Sequence, residues 1–290
     1  MTTPPLTSVI MVSYHTGPVL DQAIASVLAQ TAPVELILVN NGNPPEVEKE
    51  LAARADATPA MRLLSGQGNV GFATACNLGA AEAKGDFLLF LNPDSSLPSD
   101  ALAILHREAA ELKTPYMLGA RLQDGDGKDQ RGCRRALLTP ASAVVEALHL
   151  QSRFPKHRLN LHDTPMPTKT EPVPAISGAF MFLPKADFKA INGFDPGYFL
   201  HVEDLDFCLR FSRMGGTIYF VPDIVVTHVG GTSATTNLFL EKQKAKGFIR
   251  YFYENFSDIY PQPVLWMLDA GILARLWMKI LLAKWREKKK

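Results

Sequence analysis

The chain has 290 residues, 47% of them hydrophobic, and a formal net charge of +1. It can bury one large α/β core or a domain with an appendage, and it has no global field for nucleic acid. Cys76, Cys133 and Cys208 are widely spaced and form neither a disulfide framework nor a metal-ligand pattern. No basic segment followed by an apolar stretch opens the chain, and no uncharged apolar run reaches the ~18 residues of a spanning helix. Neither a signal peptide nor a membrane span is therefore expected, and a reducing cytoplasm is.

Ser8 to Tyr14 is apolar and β-branched and predicts a buried first strand. Gly17-Pro18 opens a helix to about Ala29, with proline at an early helical position. A second strand, Val34 to Val39, stops at the turn residues Asn40-Asn41-Gly42-Asn43-Pro44. An exposed helix (Glu46 to Ala55), a third strand (Met61 to Leu64), an alanine-rich helix (Gly71 to Ala83) and a fourth strand (Asp86 to Leu91) follow. Ser99 is placed to cap the next helix, whose Leu102, Leu105, Ala109 and Leu112 share a face. Such alternation predicts a mostly parallel sheet with helices on both faces. Right-handed crossovers then gather Tyr14-His15, Asn40-Asn41, Ser65-Gly66 and Asn92 to Asp94 on one rim.

The alternation ends after about Gly119. Gln123 to Arg135 is polar and turn-rich, Thr139 to Leu150 suits a helix, and Ser152 to Pro174 reads as a long loop. Regular structure returns at Ala175 to Leu183 and Lys185 to Ile191, stopped by Asn192-Gly193. A helix is expected from Glu203 to Met214, then strands Thr217 to Val221 and Ile224 to His228. No internal repeat is present.

Asn92-Pro93-Asp94 ends an apolar strand, which puts an acid at the carboxyl edge where α/β sheets bind ligands. An acid there can hold a divalent cation, and the cation a diphosphate; the tripeptide is also a good turn. Gly66-Gln67-Gly68-Asn69-Val70-Gly71 matches the dinucleotide fingerprint G-x-G-x-x-G, but after the third strand rather than the first. Its alternative is a tight turn that starts a helix near the rim, with Asn69 and Asn77 free to bond a nucleotide or a neighbouring loop. Glu203, Asp204 and Asp206 sit in a first helical turn, which the helix dipole alone favours. Asp206 and Arg210 are spaced to pair on the surface. Adjacent helical residues diverge by ~100°, so one of Glu203 and Asp204 is expected to face a site, where a carboxylate can take a proton from a hydroxyl. His228 ends a strand and is either a hydrogen-bonded residue or a metal ligand.

Taken in order, several segments resemble the inverting family 2 glycosyltransferases of GT-A fold, and within them the bacterial rhamnosyltransferase branch. They are Val12-Ser13-Tyr14, Val39-Asn40-Asn41-Gly42, Gly68 to Ala73 with Asn77, and Leu91-Asn92-Pro93-Asp94. Ser177-Gly178-Ala179-Phe180, Gly193-Phe194-Asp195, Phe199 to Asp206 and Val221-Pro222 to His228 complete the set. The resemblance implies a Rossmann-like catalytic domain over residues 1–240, followed by a helical region over 241–290. It implies a nucleotide-sugar site of Ser13, Tyr14, Asn40, Asn69, Gly71, Asn77, Asn92, Ser177 and Gly178. Tyr14 and Asn40 would flank the base, and Ser177-Gly178-Ala179 would line the donor sugar. Asp94 would bind Mg2+ or Mn2+ with His228 near the metal and diphosphate, and Asp204, with Glu203 as the alternative, would be the catalytic base. Asn40 stands where the family often has Asp, and Asn92 removes one charge from the family's Asp-x-Asp. The implied donor is dTDP-rhamnose, with UDP-galactose or another UDP-hexose as the alternative. The implied acceptor is a saccharide or polyprenyl-diphosphate-linked saccharide of bacterial surface polysaccharide, such as O-antigen.

Residues 264–285 carry Trp266, Trp277 and Trp285 among many Leu and Ile residues, interrupted by Asp269, Arg275 and Lys279. Arg275, Lys279 and Arg286 share a helical face, and Lys284, Arg286, Lys288, Lys289 and Lys290 crowd the end of the sequence. A basic, Trp-bearing amphipathic helix suits the plane of an anionic membrane, here the inner face of the cell membrane; the alternative is a helix packed on the catalytic domain or a second subunit. Two other functions compete with transfer. A nucleotidyltransferase needs a glycine-rich basic loop after the first strand, where Ser13-Tyr14-His15-Thr16 stands instead. A non-catalytic nucleotide- or saccharide-binding module would have no need of Asp94, Asp204 and His228 together.

Overall fold

The computed structural model describes residues 4–162, 164–230 and 237–287. The side chains of Lys284, Trp285 and Arg286, and Lys288 to Lys290, lie outside the described residues. Strands β1 (Thr7–Ser13), β2 (Val34–Asn40), β3 (Met61–Leu64) and β4 (Phe87–Leu91) alternate with helices α1 (Val19–Leu28), α2 (Pro45–Asp56) and α3 (Phe72–Glu82). All four strands are parallel and lie in the order β3-β2-β1-β4, with Ser13 opposite Asn40. Helices cover both faces, which is why these strands read as continuous apolar runs: Val9 to Met11, Leu36 to Val39 and Leu88 to Phe90 are buried throughout.

Next come β5 (Ser95–Ser96), α4 (Ala101–Ala110), β6 (Tyr116–Gln123), β7 (Arg134–Arg135), α5 (Pro140–Ala147), β8 (Glu171–Pro172), β9 (Ala175–Ile176) and β10 (Phe180–Pro184). Helices α6 (Lys185–Ala190) and α7 (Glu203–Arg213), strand β11 (Thr217–His228), and helices α8 (Asn237–Phe256) and α9 (Gln262–Glu287) complete the chain. The main sheet continues β4-β10-β6-β11-β5, with β10 antiparallel between β4 and β6. Strands β7 and β9 form a separate two-stranded ribbon.

Two local expectations need correction. Ser99 does not cap α4: Asp100 is the N-cap residue and makes no side-chain cap bond. The first turn is instead held by Gln30, just past the end of α1, whose Oε1 accepts from Leu102 N at 3.0 Å. The two strands expected around Pro222-Asp223 are one strand, β11, whose pairing with β6 shifts register between Val221 and Val225. A proline without an N–H is accommodated there as a bulge.

Behind the rim, Phe194 meets Phe90 at 5.0 Å and Phe207 at 4.7 Å between ring centroids, packing α7 onto the sheet. A second core joins Leu138, Tyr198, Val202, Leu205 and Leu209 to Tyr251, Phe252 and Phe256 of α8 and Leu265 of α9. The helical region is thus packed on the α/β unit, and α8 begins before residue 241. On α9, Leu265, Leu268 and Ile272 face this core, while Trp266, Met267, Leu273, Trp277, Met278, Leu281 and Leu282 are exposed. The Lys279 ammonium bonds Glu241 of α8, and the charge of Arg275, one turn earlier on the same helix, also acts on that carboxylate. Among the described residues no helix is long and apolar enough to cross a membrane. All three cysteines are free and buried.

Candidate active site

A cleft of about 490 Å³ opens at the carboxyl rim of the sheet. Tyr14 reaches it from the end of β1, Asn69 and Gly71 from the start of α3, and Asn92 to Asp94 from the end of β4. Ser177 and Gly178 reach it between β9 and β10, Glu203 and Asp204 from α7, and His228 from the end of β11. Asp94 and Asp204, 110 residues apart in number (204 − 94), therefore line one cavity.

Ser13, Asn40 and Asn77, expected at the nucleotide site, do not line this cleft. Ser13 is buried and accepts from Asn43 Nδ2 at 3.1 Å. The Asn40 amide is spent on its own turn: its Oδ1 accepts from Asn43 N at 3.0 Å and its Nδ2 donates to Ser65 Oγ at 3.2 Å. The next residue, Asn41, lines the cleft instead and donates to Asn69 Oδ1 at 3.1 Å. Asn77 bonds a loop: its Oδ1 accepts from Phe194 N at 2.9 Å and its Nδ2 donates to Phe194 O at 2.7 Å. That bond pins the segment leading to Glu203.

Gly71 has φ +84°, and a Cβ there would lie 2.6 Å from Phe199 O. Phe72 N donates to the same carbonyl at 2.7 Å. The glycine run is thus a set of turns that lets α3 start against the Phe199 loop, as its turn alternative required. That loop ends in two non-glycine residues in the left-handed region, His201 (φ +67°) and Val202 (φ +73°). A β-branched residue is a genuine outlier there. Packing over-determines it: Val202 is buried in the second core, and Gly247 of α8 is so close that a Cβ on it would sit 3.1 Å from both His201 O and Val202 Cγ2.

His228 Nδ1 lies 2.6 Å from Gln130 Oε1, and Gln130 Nε2 donates to His228 O at 2.5 Å. With Gln130 Oε1 accepting, Nδ1 carries a proton, and Nε2 faces Asn92 Nδ2 at 3.1 Å and Asp94 Oδ1 at 3.2 Å. An imidazole nitrogen and a carboxylate oxygen so placed can hold a cation between them. The described residues hold no cluster of three or more His, Cys, Asp or Glu able to bind a metal. One carboxylate and one imidazole leave coordination positions for phosphate oxygens and water, as Mg2+ bound with a substrate phosphate uses. The donor set fits such an ion.

Arg135 is a site residue that the sequence reading missed. From β7 its Nη2 donates to Asp204 Oδ2 and to Ile176 O, both at 2.5 Å. Gly178 N adds a bond to the same Oδ2 at 3.0 Å, and Leu205 N bonds Oδ1 at 2.8 Å. Burial pushes the Asp204 carboxyl up, but the charge and hydrogen bond of Arg135 outweigh it and hold the group below the usual carboxylate range. Its neighbour behaves oppositely. Burial and then the charge of Asp204 push Glu203 up to about 8. Both residues line the cleft, and the Glu203 carboxyl also lies near the buried Cys76 thiol of α3. Asp206 does pair with Arg210, at 2.6 Å, but not on the surface: α8 covers it, and Asn255 Nδ2 bonds it at 3.2 Å. Gln130, Phe239 and Leu240 were also missed; the last two bring α8 into the cleft wall.

Glycosyl transferase family 2 matches residues 8–188 of the chain. The N-acetylglucosaminyl-diphospho-decaprenol L-rhamnosyltransferase of Mycobacterium tuberculosis is 25% identical over 287 residues, covering 92% of this chain and 90% of that enzyme. Rhamnosyltransferase WbbL of Escherichia coli is 28% identical over 149 residues, covering 50% of this chain and 53% of WbbL. Among solved structures, GalNAc-T7 with UDP, GalNAc and Mn2+ matches with a TM-score of 0.63 at 18% identity, over 87% of this chain and 48% of that one; the likeness is one of fold. The mixed α/β sheet, the rim cleft and these matches agree with the expected GT-A architecture. The chain belongs to glycosyl transferase family 2.

Proposed function

We propose that the protein is an inverting rhamnosyltransferase that moves rhamnose from dTDP-rhamnose to a polyprenyl-diphosphate-linked saccharide of a bacterial surface polysaccharide. The observation that carries this reading is the meeting of Asp94 and Asp204 in one cleft at the carboxyl rim. The M. tuberculosis relative supports the choice of sugar and acceptor.

In this reading Tyr14 and Asn41 border the base, and Ser177 and Gly178 line the sugar. Asp94 and His228 would hold Mg2+ or Mn2+, which when bound offsets charge on the departing diphosphate. Asp204 Oδ takes the proton of the acceptor hydroxyl as its oxygen attacks the anomeric carbon. The new C1–O bond forms opposite the breaking C1–O bond to phosphate, so the configuration inverts and the nucleoside diphosphate leaves. Arg135 and the Gly178 N–H keep Asp204 ionised and aimed.

Residues 1–240 would form the catalytic unit, including the start of α8 at Phe239 and Leu240 in the cleft wall, with the residues beyond as a helical appendage. The open face of α9, with Trp266, Trp277 and Leu281, would rest on an anionic lipid surface, aided by the lysines and arginines at the end of the sequence. That placement puts the enzyme peripherally at the cytoplasmic face, where a lipid-linked acceptor lies. A donor screen with dTDP-rhamnose, UDP-galactose and other UDP-hexoses, each with Mg2+ or Mn2+, tests the reaction. Asp204→Asn is expected to bind donor and lose turnover; near-normal turnover would remove Asp204 as the base, and binding of a donor without turnover by the wild type would favour a binding module.

A further inference from the structure

Two acids at adjacent positions line the same cleft in unlike surroundings. Asp204 has a guanidinium and two backbone N–H groups on its oxygens. Glu203 has less: its own backbone N–H bonds its carboxyl and Arg135 acts on it only through charge, while the residue is 7% exposed and its Oε2 is buried without a hydrogen-bond partner. The ionisable groups facing Glu203 are Asp204 on its own helix, Arg135 from β7 and the Cys76 thiol from α3. Arg135 is committed by hydrogen bonds to Asp204 and Ile176. The thiol is itself pushed up by burial and stays neutral. A second negative charge at Glu203 would be buried beside the first with no cation of its own, an arrangement in which adjacent acids divide into one ionised and one neutral member.

Building on the transferase reading, we propose that Glu203 works as a neutral carboxyl whose O–H donates a hydrogen bond to a hydroxyl of the sugar bound in the cleft, while Asp204 carries the charge. Arg135 sets this division by choosing which acid it pairs with. Glu203 then recognises sugar rather than taking the proton. A buried donor left unpaired penalises a sugar that lacks the matching hydroxyl, which makes the position one of selectivity. Burial, and then the charge of Asp204, raise Glu203 toward 8. Activity should accordingly fall as pH rises through that region, because the ionised form loses its donor.

The test compares Glu203→Gln, Glu203→Leu, Asp204→Asn and wild type as full chains on dTDP-rhamnose with a lipid-diphosphate-linked N-acetylglucosamine acceptor. Gln keeps one donor and one acceptor, so E203Q should sustain ~10-fold or more of the turnover of E203L and lose the alkaline fall seen in wild type. Whichever KM rises in E203L, for donor or for acceptor, identifies the sugar contacted. An infrared pH titration of wild type against E203Q reads the protonated carboxyl at residue 203 without any substrate. E203Q as inactive as D204N, E203L equal to E203Q, or no protonated carboxyl lost in E203Q at neutral pH would overturn the proposal. If wild type itself does not turn over dTDP-rhamnose, the donor reading has failed, and the infrared titration decides the state of Glu203 independently.

Discussion

Replacing Arg135 by alanine isolates the contact that governs Asp204. The pair is largely withdrawn from water, with side-chain exposures of 13% for Arg135 and 17% for Asp204. Removing one partner of a buried ion pair typically costs about 3–5 kcal/mol, because the other charge stays behind. Here Asp204 keeps the N–H groups of Gly178 and Leu205, which places the expected loss at the lower end, about 3 kcal/mol at pH 7. The pH dependence follows from the signs. In the wild type the folded carboxyl lies below its unfolded value, so its stabilisation is complete above about pH 4 and is lost as pH falls through the folded value. Without Arg135, burial dominates and the folded carboxyl rises above the unfolded value. That acid then stabilises the variant only at low pH and ceases to do so as pH rises. The gap between the proteins should be widest near neutrality and narrow in acid. Urea unfolding at pH 7 and at about pH 4 reads it as a shift in midpoint at constant slope. Turnover should fall ~100-fold with donor binding little changed, as for a misplaced catalytic group. A difference below about 0.5 kcal/mol at pH 7, or one that does not shrink in acid, would show that Arg135 does not control the ionisation of Asp204.

The other expectations concern the cleft walls and the outer helix. Gly71→Ala should lose at least about 2 kcal/mol, from left-handed backbone strain and the approach to Phe199 O at 2.6 Å, measured by thermal unfolding; a change under about 0.5 kcal/mol would mean the Phe199 loop yields freely. Gln130→Leu removes the bond that fixes the His228 tautomer and should weaken Mn2+ binding, in the presence of a nucleoside diphosphate, by about 10–100-fold by calorimetry. Unaltered affinity would take His228 out of the metal site. Trp277→Ser with Leu281→Ser should leave stability within about 0.5 kcal/mol, both residues being exposed, yet abolish sedimentation with phosphatidylglycerol-containing vesicles. Retained sedimentation would refute lipid contact; loss of a dimer in the same variant without loss of sedimentation would assign the face to a second copy.

The strands and the rim were legible because their signals are local. Continuous apolar runs announce strands buried on both faces, and the turn residues at Asn40 to Pro44 and Asn92 to Asp94 announce where those strands stop. The order of those stops along the chain carried the family resemblance. Signals of one or two residues failed where a neighbour decided the outcome. Ser99 gave up its capping role because Gln30 reaches across from just past the end of α1, and Pro222 bends a strand that β6 keeps whole.

What could be read in one dimension ended with which residue types reach the ligand edge. Parallel crossovers place strand ends together by a general handedness rule, so Asp94 could be put on that edge before any coordinates. Which atoms answer one another there depends on segments with no periodic signal. Arg135 reaches Asp204 across 69 positions and Gln130 reaches His228 across 98, each from the turn-rich stretch that looked like mere connection. Asn41 rather than Asn40 faces the cleft because the amide of the latter closes its own turn, a choice between adjacent residues that composition cannot make. The charge on each of two neighbouring acids was likewise invisible in the string Glu203-Asp204. Ionisation is set by burial and by the partner brought alongside, and both exist only once the chain has closed on itself.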